Sequence, residues 1–215
     1  MKKYTLEDFE KFEKDDSGRT ICPSGDYTEI KQFPEHCSFG EWCSFGEDCS
    51  FSVGCGFGKC CSFGERCSFG ERCSFGEGCS FGKWCGFGKW CGFGKWCSFG
   101  ERCSFGEDCS FSVGCNFGKW CSFGERCSFG VGCKVENDKE LKRFLKFEGF
   151  GSVRRCTYFF LLTDNTIYVR CGCFSGYIDE FRNKVRETHG DSLYAQGYLK
   201  TADLAQWYFE ESCND

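Results

Sequence analysis

Between residues 33 and 133 this chain has neither leucine nor isoleucine. The whole sequence of 215 residues holds 2 His, 2 Pro and 1 Met. It has no run of about 18 apolar residues. Each scarcity excludes something. The central segment cannot take its core from aliphatic side chains, so Phe and Cys must supply it. The missing apolar run excludes a membrane-spanning helix. The opening, MKKYTLEDFEKFEKDD, lacks the apolar stretch of a signal peptide, and the expected setting is the reducing cytoplasm. One sign of charge is also lacking in excess. With 27 basic and 32 acidic residues the net charge is −5, which argues against a bulk-charge grip on nucleic acid and is too mild for a strong polyanion mimic.

What is abundant is 23 Cys, 27 Phe and 29 Gly. Cys recurs at every sixth residue from Cys37 to Cys133, giving 17, and Phe does so from Phe33 to Phe129, also giving 17. The unit is F-G-E-x-C-S, as in Phe69-Gly70-Glu71-Arg72-Cys73-Ser74. A period of six fits neither an amphipathic helix nor a coiled coil. It fits a β-solenoid, in which Phe and Cys, four apart, share the inward face. Gly follows Phe in 14 of the 17 hexads, with Pro34, Ser52 and Ser112 as exceptions. A glycine repeated at one phase marks a turn of unusual φ or a close backbone approach.

These units resemble the hexapeptide-repeat, left-handed parallel β-helix family, with Phe in place of the aliphatic residue and Cys as the small one. Pentapeptide-repeat proteins also pair Cys with Phe, but their period is five. The resemblance implies three hexads per coil. With Ile21, Tyr27 and Val135 continuing the phase, it predicts about 6–7 coils over residues 21–138. The fold expected is mainly β: a left-handed parallel β-helix with an N-terminal capping helix over residues 1–20 and a small α+β domain over 139–215. Residues 44–70 and 104–130 are identical except at Gly56/Asn116 and Cys60/Trp120. Their offset of 60 is ten hexads, not a whole number of coils, so the copies should lie on rotated faces.

Thr5 and Asp8 predict a helix within 4–17, with Leu6, Phe9 and Phe12 inward. After Cys133, Asn137-Asp138 reads as the cap of a helix running to about Phe147. A hairpin follows, with strands at Cys156–Leu162 and Thr166–Cys171 about an Asp164-Asn165 turn, then a break from Gly172 to Gly176. Ile178, Phe181 and Val185 mark a helix stopping at Gly190, and Ala195 to Phe209 mark another. This last segment, together with the CSFGE array and the CPSGDY start, resembles uncharacterised proteins of gut bacteria and their phages.

The candidate chemistry is sparse. The in-phase cysteines are spaced C-x5-C, which spreads thiols down parallel columns and does not converge them on zinc. They read as small buried hydrophobes. Neighbouring coils bring their Cα atoms within disulfide range, which a reducing compartment counters. Cys60, beside Cys61, and Cys171 and Cys173 stand outside the array and are the candidate reactive thiols. No catalytic residue, metal or cofactor is assigned. Many hexapeptide-repeat proteins are acyltransferases with a His base and loops interrupting the coils. Here only His36 and His189 exist, and no insertion interrupts 33–133.

The residue three after each Phe points outward and varies. At steps of 18 it gives the column Asp48, Arg66, Trp84, Arg102, Trp120, in which Arg and Trp can stack. The preceding position gives an alternating charge ladder, Glu41, Lys59, Glu77, Lys95. Arg66, Trp84, Arg102 and Trp120 are therefore the candidate partner-binding residues. The function expected is a non-enzymatic structural or protein-interaction module, with an unidentified protein partner and homo-oligomerisation both open. The alternatives are a hexapeptide-type acyltransferase, and a nucleic-acid-related binder or DNA mimic. Against the last stand 9 basic and 11 acidic residues over 33–133.

Overall fold

The structure, a computed structural model, describes residues 1–136, 139–150 and 155–211. It divides into two compact units, Met1–Lys139 and Glu140–Asp215. The first is a parallel β-solenoid of about 6 turns. Its strands run from β1 (Thr20–Cys22) to β19 (Lys134–Val135), most of them two residues long. From Gln32 onward each pairs in parallel with the strand 18 residues away, as Phe33 with Phe51 and Phe57 with Phe75. Three hexads thus make one coil, with one strand on each of three faces and a turn at each of three edges.

Phenylalanine fills the interior. Rings in one column stack nearly parallel, as Phe57 on Phe75 with centroids 4.9 Å apart at 2°. Rings from adjacent columns meet edge to face, as Phe57 and Phe63 at 5.0 Å and 88°. The in-column spacing matches the ~4.8 Å between hydrogen-bonded strands, so stacking and backbone pairing reinforce each other. Burying each ring contributes about 1.5–3 kcal/mol before entropy is counted.

The backbone closes each hexad with three bonds to neighbouring coils. The Ser80, Gly82 and Trp84 amides donate to Cys61, Phe63 and Glu101 carbonyls at 2.9–3.0 Å. The thiols join this network. Cys91 donates to the Gly70 carbonyl at 3.4 Å and Cys109 to Gly88 at 3.3 Å, a pattern repeated along the array. Cys is therefore more than a filler, since a buried thiol also satisfies a carbonyl at the turn. The glycine after Phe answers to close approach. A Cβ at Gly88 would lie 2.7 Å from both the Glu71 nitrogen and the Gly70 carbonyl carbon of the previous coil.

The first coil departs from the expected phase. Cys22, not Ile21, pairs with Phe39, and Ile21 faces solvent opposite Ser38. One residue fewer lies in this coil, and the phase recovers at Tyr27, which stacks on Phe45. The expected capping helix is shorter than predicted, a single turn, α1 (Leu6–Glu10), with a Thr5–Asp8 capping box. Phe9 sits edge-on to Phe33 and Tyr4 stacks on Tyr27, covering the first rings, while Leu6 is exposed.

The second unit is an antiparallel meander, β20 (Lys139–Phe150), β21 (Arg155–Leu162), β22 (Ile167–Cys171) and β23 (Phe174–Tyr177), followed by α2 (Ile178–His189) and α3 (Leu193–Glu211). The helix predicted to end near Phe147 is instead β20, and its expected cap Asn137-Asp138 lies outside the described residues. Pairing with β21 overrides the local helical spacing of Leu141, Phe144 and Leu145. The expected break at 172–176 is a tight turn at Gly172-Cys173 and then a further strand. The two helices cover one sheet face through Phe181, Val185, Tyr198, Ala202 and Phe209, packed on Phe159 and Val169. Among the described residues no helix is long and apolar enough to cross a membrane.

Gly88→Ala should destabilise the solenoid by about 1–3 kcal/mol, read as a lower urea midpoint, whereas Ser52→Ala, where a Cβ is already housed, should shift it far less. The neighbouring Cys121 thiol, opposed by Cys85 and helped by burial, pushes the Cys103 thiol up to about 12 from an ordinary 9.0. Above pH 9 the unfolded chain ionises this thiol and the folded chain does not, so stability present below pH 9 is lost as pH rises towards 12. The thermal midpoint should fall across that window; a flat profile would contradict the assignment.

Candidate interaction surface and thiol cavity

At each turn the residue three after Phe takes a left-handed conformation. Trp84 has φ 57°, Arg102 60° and Trp120 60°. Large side chains adopt this region at a cost of order 1 kcal/mol each, offset at Trp84 and Arg102 by the amide bond each makes to the next coil. The result is three edges, each with its side chains held at fixed positions along the rod.

The predicted column occupies one edge. Arg66 turns back to Asp48, with Nε–Oδ1 at 2.8 Å, and to Glu47 at 2.8 Å, and the guanidinium holds the Asp48 carboxyl below its usual range. Arg102 lies over Trp120, 4.8 Å from the ring centroid. Arg66, Trp84, Arg102 and Trp120 thus share an edge, but Arg66 is engaged by carboxylates and the cation–π contact is between Arg102 and Trp120. On the next edge Arg72 covers Trp90 at 5.3 Å, and Arg126 grips Asp108 at 2.8 Å through two nitrogens. The duplicated segment therefore builds the same Asp–Arg pair twice, on two different edges.

Ion pairs between coils join Lys83 to Glu101 at 3.4 Å and Lys89 to Glu107 at 3.1 Å on these two edges. The ladder singled out from sequence, Glu41, Lys59, Glu77 and Lys95, lies on the third and forms no ion pair within 4.0 Å among the described residues. That edge carries Trp42, Cys60, Gly78 and Trp96, and then Gly114 and Gly132. Trp42 and Trp96 are 62% and 59% exposed, the most exposed indoles of the array. Sequence reasoning passed over both, although the triple Phe-Gly-Lys-Trp run at 81–96 marks a whole coil with Lys-Trp at every edge.

The thiols separate by exposure. Cys60 is half-buried and leans over Gly78, its Sγ 3.3 Å from where a Cβ would stand. In the second unit, Cys171 and Cys173 both line a cavity of about 490 Å3, with Phe181, Lys184, His189 and Tyr198. Gly172, at φ 60°, sets the turn that brings them to its wall. The Thr157 hydroxyl donates to Cys171 Sγ at 3.2 Å. His189 stacks on Tyr198, centroids 5.7 Å apart. Lys184 and His189 lie far from the thiols in sequence, and only the packing of α2 on the hairpin reveals the grouping. His36, the other histidine, lies beside Gly54 on the solenoid. Among the described residues no group of three or more His, Cys, Asp or Glu is arranged to hold a metal.

Comparison with known proteins gives no match to a protein-family model, a curated protein or a solved structure.

Exposure orders the thiol reactivity. Of the described cysteines only Cys173 is exposed. Native maleimide labelling followed by peptide mass spectrometry should modify Cys173 first and Cys60 and Cys171 more slowly. The fully buried in-phase thiols of the solenoid should label only on unfolding. Rapid labelling of Cys91 or Cys103 in the native chain would contradict the packing.

Proposed function

We propose that the chain is a non-catalytic interaction module of the cytoplasm, in which an uninterrupted hexapeptide-type, left-handed solenoid presents rigid edges to a protein partner. The observation that carries this reading is the edge of Arg66, Trp84, Arg102 and Trp120. Its side chains are fixed in left-handed turns and partly preordered by Asp48–Arg66 and Arg102–Trp120 contacts. Preordering lowers the entropy lost on docking, and Trp and Arg contribute most where interfaces are strong. Coils without inserted loops suit a docking surface better than an acyl-transfer site. The resemblance of the chain to proteins of gut bacteria and their phages would place that partner in a bacterial host.

The test is affinity capture from the native cell, with a nuclease-treated sample in parallel, comparing the native chain with Trp84→Ala/Arg102→Ala/Trp120→Ala. A specific protein should be retained after nuclease and lost, by about tenfold or more, with the triple variant. The variant's circular dichroism should be unchanged. Equal capture by a folded triple variant would remove this edge from the function, and loss of the partner on nuclease treatment would favour the nucleic-acid reading.

A further inference from the structure

The third edge is the one whose chemistry the chain leaves open. The other two carry contacts between coils, Asp48–Arg66, Lys83–Glu101 and Arg102–Trp120 on one and Arg72–Trp90, Lys89–Glu107 and Asp108–Arg126 on the other. On the third, Glu41, Lys59, Glu77 and Lys95 stand one coil apart in strict alternation and make no ion pair among the described residues. Beside them Trp42 and Trp96 have no ring or cation partner there, with Cys60 and Gly78 between them.

We propose that this edge binds a second copy of the chain, antiparallel, about a two-fold axis lying between the Lys59 and Glu77 coils. Alternation alone does not choose an orientation; the placing of the two indoles at the ends of the charged stretch does. Reversing one copy sets Glu41 against the partner's Lys95 and Lys59 against the partner's Glu77, and the two-fold repeats both pairs, so four ion pairs close at once. The same operation sets Trp42 against the partner's Trp96, and repeats it. Cys60 falls opposite the partner's Gly78, where a missing side chain leaves room. A parallel pairing in register would instead oppose Glu to Glu and Lys to Lys. A parallel pairing shifted by one coil would satisfy charges but leave the indoles unmatched and would propagate without closing.

The area is adequate. Four half-exposed indoles contribute roughly 150 Å2 each. The ladder residues and flanking turns bring the total near the ~1,000 Å2 that a specific pair requires. Because the charges lie on equally spaced rigid coils, every contact depends on one register, which is where alternating charges confer specificity. This inference does not rest on the partner-binding edge proposed above, which lies on a different corner of the rod.

The experiment uses the full chain. Sedimentation equilibrium at about 10–100 μM, concentrations at which a micromolar pair is populated, should give the mass of two chains. Lys59→Glu alone and Glu77→Lys alone should each return it to one chain, by placing like charges across the axis. The double variant Lys59→Glu/Glu77→Lys should restore the dimer, since the swapped pair is again complementary. Circular dichroism of each variant separates loss of pairing from loss of fold. Carbodiimide coupling adds a register test. Glu41 and Lys95 are three coils, ~15 Å, apart within one chain, so a zero-length Glu41–Lys95 cross-link can form only between chains. Its recovery from the dimer is the expected result. A monomeric native chain, a double variant that stays monomeric while folded, or a dimer cross-linked only at Glu65–Lys119 or Glu41–Lys59 would each overturn the proposal.

Discussion

The stacking of phenylalanine rings at the rise of one β-coil governs this molecule. Rings 4.8 Å apart within a column and 5.0 Å apart edge to face between columns tile the interior. Such a tiling has no slack. One residue added to a hexad between Phe39 and Phe123 would rotate every later ring out of its column, which explains why the period of six holds without interruption there. The exception is instructive. The hexad at residues 22–26 is one residue short, and it lies where Tyr4, Phe9 and Phe12, from outside the repeat, complete the packing.

Glycine and cysteine make the tiling compatible with the backbone. Coils close enough for rings to stack leave no volume for a side chain at the turn entrance, and glycine meets that need by absence. Its carbonyl would then face the interior, and the cysteine thiol of a later coil answers it at 3.3–3.4 Å. Serine at the cysteine position would bury a stronger polar group, and alanine would leave the carbonyl unsatisfied. In the Phe51-Ser52-Val53-Gly54 hexad the glycine moves two places on, to the left-handed position with φ 72°. There it accommodates His36 from the coil before. The duplicate hexad repeats this at Gly114, under Trp96.

The solenoid was legible because one interaction repeats many times and writes its own period. Phe33, Phe51 and Phe69 announce a column by spacing alone. Where a segment occurs once, the same reasoning was weaker. Residues 139–147 carry Leu141, Phe144 and Leu145 at helical spacing, yet a bulge after Leu141 changes the phase and Leu145 and Phe147 turn together towards the helices. Nothing local encodes that bulge. The edges were legible as columns but not as contacts. The spacing placed Arg66 beside Trp84, while the carboxylates of Glu47 and Asp48 drew the guanidinium the other way. Charge outweighs the ring there because two carboxylates are in reach, whereas Arg102 has the Trp120 face within 4.8 Å.

The way the array grew bears on what its edges do. A copy displaced by nine or twelve hexads would return each motif to its own edge and enlarge one surface. The displacement here is ten, so Asp48–Arg66 and its copy Asp108–Arg126 stand on different corners. The interior is indifferent to that choice, because every corner presents the same Phe, Gly and Cys inward. Growth by any number of hexads thus preserves the fold while permuting the edges, and identity between two segments of sequence does not imply a shared surface. An edge such as that of Trp42 and Trp96 is assembled from hexads 18 residues apart, and its chemistry belongs to the column rather than to any contiguous stretch of chain.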